Sequence, residues 1–353
     1  MDSSGELRQN ILTGSWVAVA PLRGQRPKEP RRSRSEDDGS GADCPFCPGN
    51  EDRLAGVVAE TPGSDGRWAT RVVPNRYPAF TNDPARGEWV ETPLDESAPR
   101  PGKSLELGAD VPLRIPDPLP AVGYQEVIVE SPDHDRDLAD LGPAELATVL
   151  GTYHGRYVAI SASAPRCRIF LFRNRGAAAG TSLSHPHAQL IATAFVPPRV
   201  RIREIRALGY HGNHGRCLVC ALPDIEPEWE SRLVAENERF TAVVPWAAEA
   251  SCEIRIVPRE HQAEFGLASE ADLASLAGIL REVLGALRER VGDPSYNLVV
   301  HSPRRSRSGS SAFHWYLQIR PRSSRLAGFE LATDVTVVDS SPLEDAARLR
   351  GEG

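Results

Sequence analysis

The chain has 353 residues and a net charge of −7, enough length for two domains or one large one with a sizeable core. The acidic balance is spread along the sequence, which leaves no basic stripe for nucleic acid, and no apolar run is long enough to span a bilayer. Met1 to Glu6 lacks the basic and apolar blocks of a secretory leader, so a soluble cytoplasmic protein with no nucleic-acid or membrane partner is expected.

In chain order, Glu6 to Pro21 contains a turn at Thr13-Gly14 and then a short strand. Residues 28 to 43 are charged, rich in Ser and Gly and aperiodic, the composition of a loop. Cys44-Pro45-Phe46-Cys47 is a first C-x-x-C. Trp68 to Ala79 reads as a strand running into a proline-bounded turn, and the Pro- and Gly-rich residues 82 to 120 predict a long irregular excursion. Gly123 to Glu130 is another strand, ending at Ser131-Pro132-Asp133-His134, and a helix is expected from Gly142-Pro143, where proline suits the first turn. Cys167 to Phe172 is the next strand. A turn almost free of bulky side chains, Gly176 to Ser182, then leads to Ser184-His185-Pro186-His187-Ala188-Gln189. As an extended segment this stretch would set His185, His187 and Gln189 on one face, with Pro197-Pro198 ending it.

The order then recurs. Cys217-Leu218-Val219-Cys220 is followed by strands at Phe240 to Pro245 and Glu253 to Pro258, then by Arg259-Glu260-His261. A helix comes next, with Ser269 as N-cap and Leu273, Leu276, Leu280, Leu284, Leu287 and Val291 along one stripe. Strands from Tyr296 and from Phe313-His314 close the series. This is an internal duplication, and it predicts two halves, residues 1–200 and 201–353. In a reducing cytoplasm the C-x-x-C pairs are zinc ligands or redox sites, whereas Cys167 and Cys252 sit in apolar runs and read as packing residues.

Asn174 to Ser182 followed by His-Pro-His-x-Gln resembles the active-site signature of the galactose-1-phosphate uridylyltransferases, in the histidine triad superfamily. The resemblance runs from residue 6 to residue 345. It implies an α+β fold of two tandem histidine-triad-like halves, each an antiparallel β-sheet with a packed helix, related by a pseudo-two-fold axis and assembled as a homodimer. The implied activity is UDP-glucose:hexose-1-phosphate uridylyl transfer, by a ping-pong route through a nucleotidyl group carried on His187. Its substrates would be a nucleotide sugar and a hexose 1-phosphate. A sister activity, ADP-glucose phosphorylase, stays open as the alternative. The same resemblance places Gln189 and Ser182 on phosphoryl oxygens, Gly180 and Thr181 in a turn of N–H donors, and Asn174 and Arg175 at the phosphate approach. Arg23 and Arg26 would lie near the nucleotide, Asn75 at its ribose, and Glu330 at the hexose hydroxyls. Two departures leave base and hexose open: Arg76 stands where some members have Asp, and Phe329 where many have Tyr.

Laying one half over the other sets His185-Pro186-His187-Ala188-Gln189 against His314-Trp315-Tyr316-Leu317-Gln318. The first histidine persists in both copies, as a structural role requires, while the middle one becomes Tyr316, as suits catalysis done once. Each half then supplies a Cys₂His₂ set, Cys44, Cys47, His134 and His185 in the first and Cys217, Cys220, His261 and His314 in the second. Four sulfur and nitrogen ligands suit tetrahedral Zn²⁺ with no open position, so two structural zinc ions are expected, and the matched histidines weigh against a redox dithiol. The acidic balance and scattered aromatics weigh against a zinc-knuckle nucleic-acid module.

Overall fold

A computed structural model describes residues 5–25, 43–64, 66–82, 102–105, 113–116, 118–304, 310–323 and 327–352. The first strands are β1 (Glu6–Gln9), β2 (Trp16–Val19), β3 (Ala59–Pro62) and β4 (Trp68–Pro74). The 82–120 region, expected to be irregular, contains a two-stranded antiparallel ribbon, β5 (Gly102–Leu105) with β6 (Leu113–Pro116). β7 (Gly123–Val129) leads to α1 (Pro143–Ser163), whose Pro143 opens the first turn while the Glu145 carboxylate accepts the Gly142 N–H at 2.8 Å. β8 (Arg168–Arg175) and β9 (His187–Thr193) follow. β9 starts at His187, because Pro186 has no N–H to give a ladder and its carbonyl instead accepts from Glu130 N at 3.1 Å. His185 therefore precedes the strand, and its ring and that of His187 both meet Phe46, at 5.9 and 5.4 Å between centroids.

Two helices that the sequence pattern did not announce come next, α2 (Pro198–His214) and α3 (Leu218–Ile225). Pro197-Pro198 starts a helix as well as ending a strand, because the fixed φ of proline suits a first helical turn. The remaining elements are β10 (Leu233–Glu236), β11 (Phe240–Val243), β12 (Ile254–Pro258), α4 (Glu270–Ala286), β13 (Tyr296–His301), β14 (Tyr316–Pro321), α5 (Gly328–Thr333), β15 (Thr336–Val338) and α6 (Pro342–Arg350). α4 starts as expected. Ser269 Oγ accepts from Asp272 N at 3.2 Å and the Asp272 carboxylate accepts from Ser269 N at 2.8 Å, a reciprocal cap that contributes about 1 kcal/mol.

Ten strands form one antiparallel sheet in the order β3-β4-β7-β9-β8-β13-β14-β12-β11-β10. Strands from residues 59–193 fill one side and strands from 233–321 the other, joined by β8 against β13 with Phe172 opposite Val299. The two strand sets thus share a sheet and do not build separate ones. One face carries Ile128, Leu171, Leu190, Leu298, Leu317 and Ile256, which bury against α1 and α4 in a single core. Burying each such side chain stabilises the fold by about 1.5–3 kcal/mol. Alternation sends His187, Gln189, Phe172, Val299, Gln318 and Arg255 to the opposite face, the one that carries the site. β2 pairs in parallel with β15, and Val17 and Val19 pack on Ala247 and Val338. β2 thus packs against the later part of the chain, across the expected division at residue 200. No helix among the described residues is long and apolar enough to cross a membrane.

Candidate active site and metal centres

Cys44, Cys47, His134 and His185 converge, as do Cys217, Cys220, His261 and His314, with the donor atoms of each set within 4.8 Å of one another. In the first set His185 Nδ1 lies 3.6 Å from Cys44 Sγ and 3.5 Å from Cys47 Sγ, and His134 Nδ1 lies 3.3 Å from Cys47 Sγ. In the second, Cys220 Sγ is 3.3 Å from His261 Nδ1 and 3.2 Å from His314 Nδ1. A tetrahedral zinc, with bonds of about 2.0 Å to nitrogen and 2.3 Å to sulfur, would hold N and S about 3.5 Å apart, so the donors fit that ion. The outer ring nitrogens of the first set are fixed as a ligand needs: His185 Nε2 donates to Ser131 O at 2.8 Å, and His134 Nε2 meets Ser184 Oγ at 2.9 Å. Burial pushes the His185 imidazole down to about 4, which keeps it neutral and its Nδ1 lone pair available.

His187 sits beside the first set. Its Nδ1–H donates to the carbonyl oxygen of His185 at 2.8 Å, so the tautomer is set and Nε2 carries the free lone pair. Burial lowers its proton affinity, and the nearby Arg173 charge acts in the same direction. Phe46, from within the first C-x-x-C, lies 5.4 Å from the His187 ring. A pocket of about 410 Å³ opens over His187, lined also by Asn174, Arg175, Thr181 and Ser182.

The turn between β8 and β9 depends on two glycines. Gly180 has φ +88, the left-handed region, and Gly176 has φ +78 with a Cβ position that would overlap the Ser295 hydroxyl. Asn297 holds the same turn from β13, its Nδ2 donating to Asn174 Oδ1 at 2.8 Å and to Ala179 O at 3.0 Å. Beneath it, Arg173 bonds Glu130, Asp137 and Tyr296 Oη. Arg175 donates through Nε to Asp137 at 2.5 Å and through Nη2 to Asp293 at 2.6 Å. Burial pushes the Asp137 carboxyl up, but the Arg173 and Arg175 guanidiniums overcome that and hold it below the usual carboxylate range. Asp137, Asp293, Ser295 and Asn297 were not singled out from sequence. Their partners lie far away along the chain, and neither periodicity nor spacing marks them.

Residues 1–197 match the family model described as galactose-1-phosphate uridyl transferase, N-terminal domain. The chain belongs to the galactose-1-phosphate uridylyltransferase family. An ADP-glucose phosphorylase of Arabidopsis thaliana is 30% identical over 99% of this chain and 93% of its own length. The galactose-1-phosphate uridylyltransferase of Thermotoga maritima is 26% identical over 98% of both chains. Among solved structures, the Arabidopsis thaliana ADP-glucose phosphorylase with bound ADP-glucose superposes with a TM-score of 0.79 at 28% identity, covering 98% of each chain. A uridylyltransferase structure superposes at 0.68 with 27% identity, covering 98% of this chain and 97% of that one.

Of the residues expected at the nucleotide of a galactose-1-phosphate uridylyltransferase family member, Asn174, Arg175, Thr181, Ser182 and His187 meet at the pocket. Gly180 shapes the turn, and Gln189 follows His187 on the same face of β9. Asn75 stands after β4, its Oδ1 accepting from Tyr77 N at 2.9 Å, and does not line the pocket. Arg23 is exposed, and Arg26 lies outside the described residues. Glu330 lies on the exposed α5, where it accepts from Ala327 N at 3.0 Å, away from the pocket of its own chain.

Proposed function

We propose that this protein transfers a nucleotidyl group from a nucleotide sugar through His187, acting as a UDP-glucose:hexose-1-phosphate uridylyltransferase. The observation that carries the reading is the His187 Nδ1–H bond to the His185 carbonyl, which leaves Nε2 as a free nucleophile over the pocket. Nε2 attacks the α-phosphorus, the N–P bond forms, and the P–O bond to the sugar phosphate breaks with its electron pair leaving on that oxygen. The positive charge that develops on the ring is eased by the bond to the His185 oxygen, and neutral imidazole needs to lose no proton first. Ser182, Gln189 and the N–H groups around Gly180 and Thr181 are assigned to the phosphoryl oxygens. A phosphate oxygen of the hexose 1-phosphate then attacks phosphorus, and the N–P electron pair returns to Nε2.

The two Cys₂His₂ sets are read as structural zinc sites that fix the His185 carbonyl and the opposite end of the sheet. The chain is read as two histidine-triad-like halves, residues 1–200 and 201–353, related by a pseudo-two-fold axis between β8 and β13. The strand order, which runs inward from each edge to that junction, supports it. A cytoplasmic homodimer is the working unit in this reading, with Glu330 serving a neighbouring subunit's pocket.

A second reading, ADP-glucose phosphorolysis with phosphate as acceptor, is favoured by the higher TM-score, 0.79 against 0.68, and by Arg76 in place of an acidic residue. Incubation with UDP-glucose or ADP-glucose labelled at the α-phosphate separates the two. Acid-labile, base-stable label on the protein from UDP-glucose alone is the expected result; label from ADP-glucose alone selects the second reading. Label persisting on a His187→Asn variant would sink both.

A further inference from the structure

On the face that carries His187, but at the other end of β13 and β14, lies a second cavity, of about 140 Å³, between the sheet and α2 and α3. Tyr316 and His301 line it. In the register of the sheet they stand where His187 and Asn174 stand on the other side, because Gln318 pairs with Val299 as Gln189 pairs with Phe172. With no imidazole at the Tyr316 position, the cavity has no nucleophile of the first kind.

Its polar groups are mismatched in one direction. Arg168 Nη1, Arg203 Nε and His314 Nε2 all line this cavity and are buried without a hydrogen-bond partner. All three are donors once His314 turns Nδ1 toward Cys220. Arg168 and His314 are 4% and 6% exposed, so solvent cannot be assumed to complete them. Glu204 neutralises Arg168 through its Nε and Nη2 at 3.1 and 2.9 Å, leaving Nη1 over. Arg203 has no carboxylate partner among the described residues; its Nη1 donates to His301 Nδ1, while His301 Nε2 donates to Gln318 at 2.7 Å. His301 is therefore a neutral spacer and the Arg203 charge is uncompensated. Apart from Ser302 and Tyr316, the rest of the wall is apolar, including Leu12, Phe170, Val200 and Leu218.

We propose that this cavity binds a small monocarboxylate with an aliphatic or aromatic body. The carboxylate oxygens supply the acceptors that Arg168, Arg203 and His314 lack, and the apolar body fills the remainder. A volume of about 140 Å³ matches the roughly 150 Å³ that accommodates a benzene ring. The charge requires an anion, while the apolar walls select against a bare, fully hydrated one.

Calorimetric titration of the full-length, zinc-loaded protein with benzoate tests this, with benzyl alcohol and inorganic phosphate as parallel probes. Benzoate is expected to bind saturably with 1:1 stoichiometry, and benzyl alcohol at least about 10-fold more weakly, because it lacks the charge-assisted bonds. Arg203→Gln should weaken benzoate by a similar factor. Ala207→Leu, which keeps every charge and fills the cavity from α2, should abolish binding while leaving zinc content and basal transferase activity unchanged. No saturable benzoate binding up to about 10 mM, or equal affinity in both variants, overturns the proposal. Phosphate displacing benzoate at equal concentration overturns the carboxylate assignment.

Discussion

His187 Nδ1 lies 2.8 Å from the backbone oxygen of His185, a residue whose own ring faces two cysteine sulfurs at 3.5 and 3.6 Å. The proposed nucleophile is thus aimed by the main chain of a metal-set residue. Metal occupancy and chemistry should therefore separate in one direction only. His185→Ala is expected to lower bound zinc from two ions per chain to about one and to reduce kcat together with it. His187→Ala should retain both ions and lose turnover by at least about 10⁴-fold. Metal analysis beside initial rates checks both, and a His185→Ala variant with full zinc and full rate would refute the coupling.

Asn297 bridges β13 to the turn that carries the proposed phosphoryl contacts, bonding Asn174 at 2.8 Å and Ala179 O at 3.0 Å while Arg322 donates to its Oδ1. Asn297→Ala should lower kcat by about 10-fold, the equivalent of one to two misplaced hydrogen bonds. Donor affinity should change less than kcat. Steady-state kinetics that separate kcat from KM provide the check, and an unchanged kcat would remove Asn297 from the machinery.

Gly176 combines φ +78 with a Cβ position that overlaps Ser295 Oγ. Gly176→Ala should destabilise the fold by about 2 kcal/mol or more, from backbone strain plus overlap. Adding Ser295→Gly relieves the overlap but not the φ strain, so the double variant should recover part of the loss. Denaturant melts of the two single variants and the double variant measure the non-additivity.

Burial drives the His301 imidazole well below its ordinary value of 6.5, with Arg203 from α2 and Arg255 from β12 acting in the same direction and the Gln318 bond opposing them. A histidine held neutral in the fold stabilises it above the unfolded value and loses that contribution as pH falls, since only the unfolded chain takes up the proton. Below pH 6.5 this group should cost about 1.4 kcal/mol of stability per pH unit until the folded group itself titrates. Urea melts of wild type and His301→Gln between pH 7.5 and 5.5 should show a shallower decline in the variant. Parallel declines would rule out His301 as the source.

Residue types and their spacing along the chain were enough to mark the two donor sets and to nominate a nucleophile. Two C-x-x-C pairs, the histidines at matching places after each, and the contrast between His187 and Tyr316 identified the two convergent sets and the candidate nucleophile, because ligand chemistry demands residue types that few other roles require. Local signals also set the starts of α1 and α4, since proline at a first turn and a Ser269 cap act within a few residues. Tertiary structure decided the rest. The joining of β8 to β13 in one ten-stranded sheet, the return of β15 to β2, and the Asp137 and Asp293 carboxylates that occupy Arg175 all depend on partners more than a few residues away. Their free energy comes from pairing and desolvation across the folded chain. A strand edge or a carboxylate carries no local mark of which distant partner will satisfy it, so those relationships exist only once the sheet has closed around them.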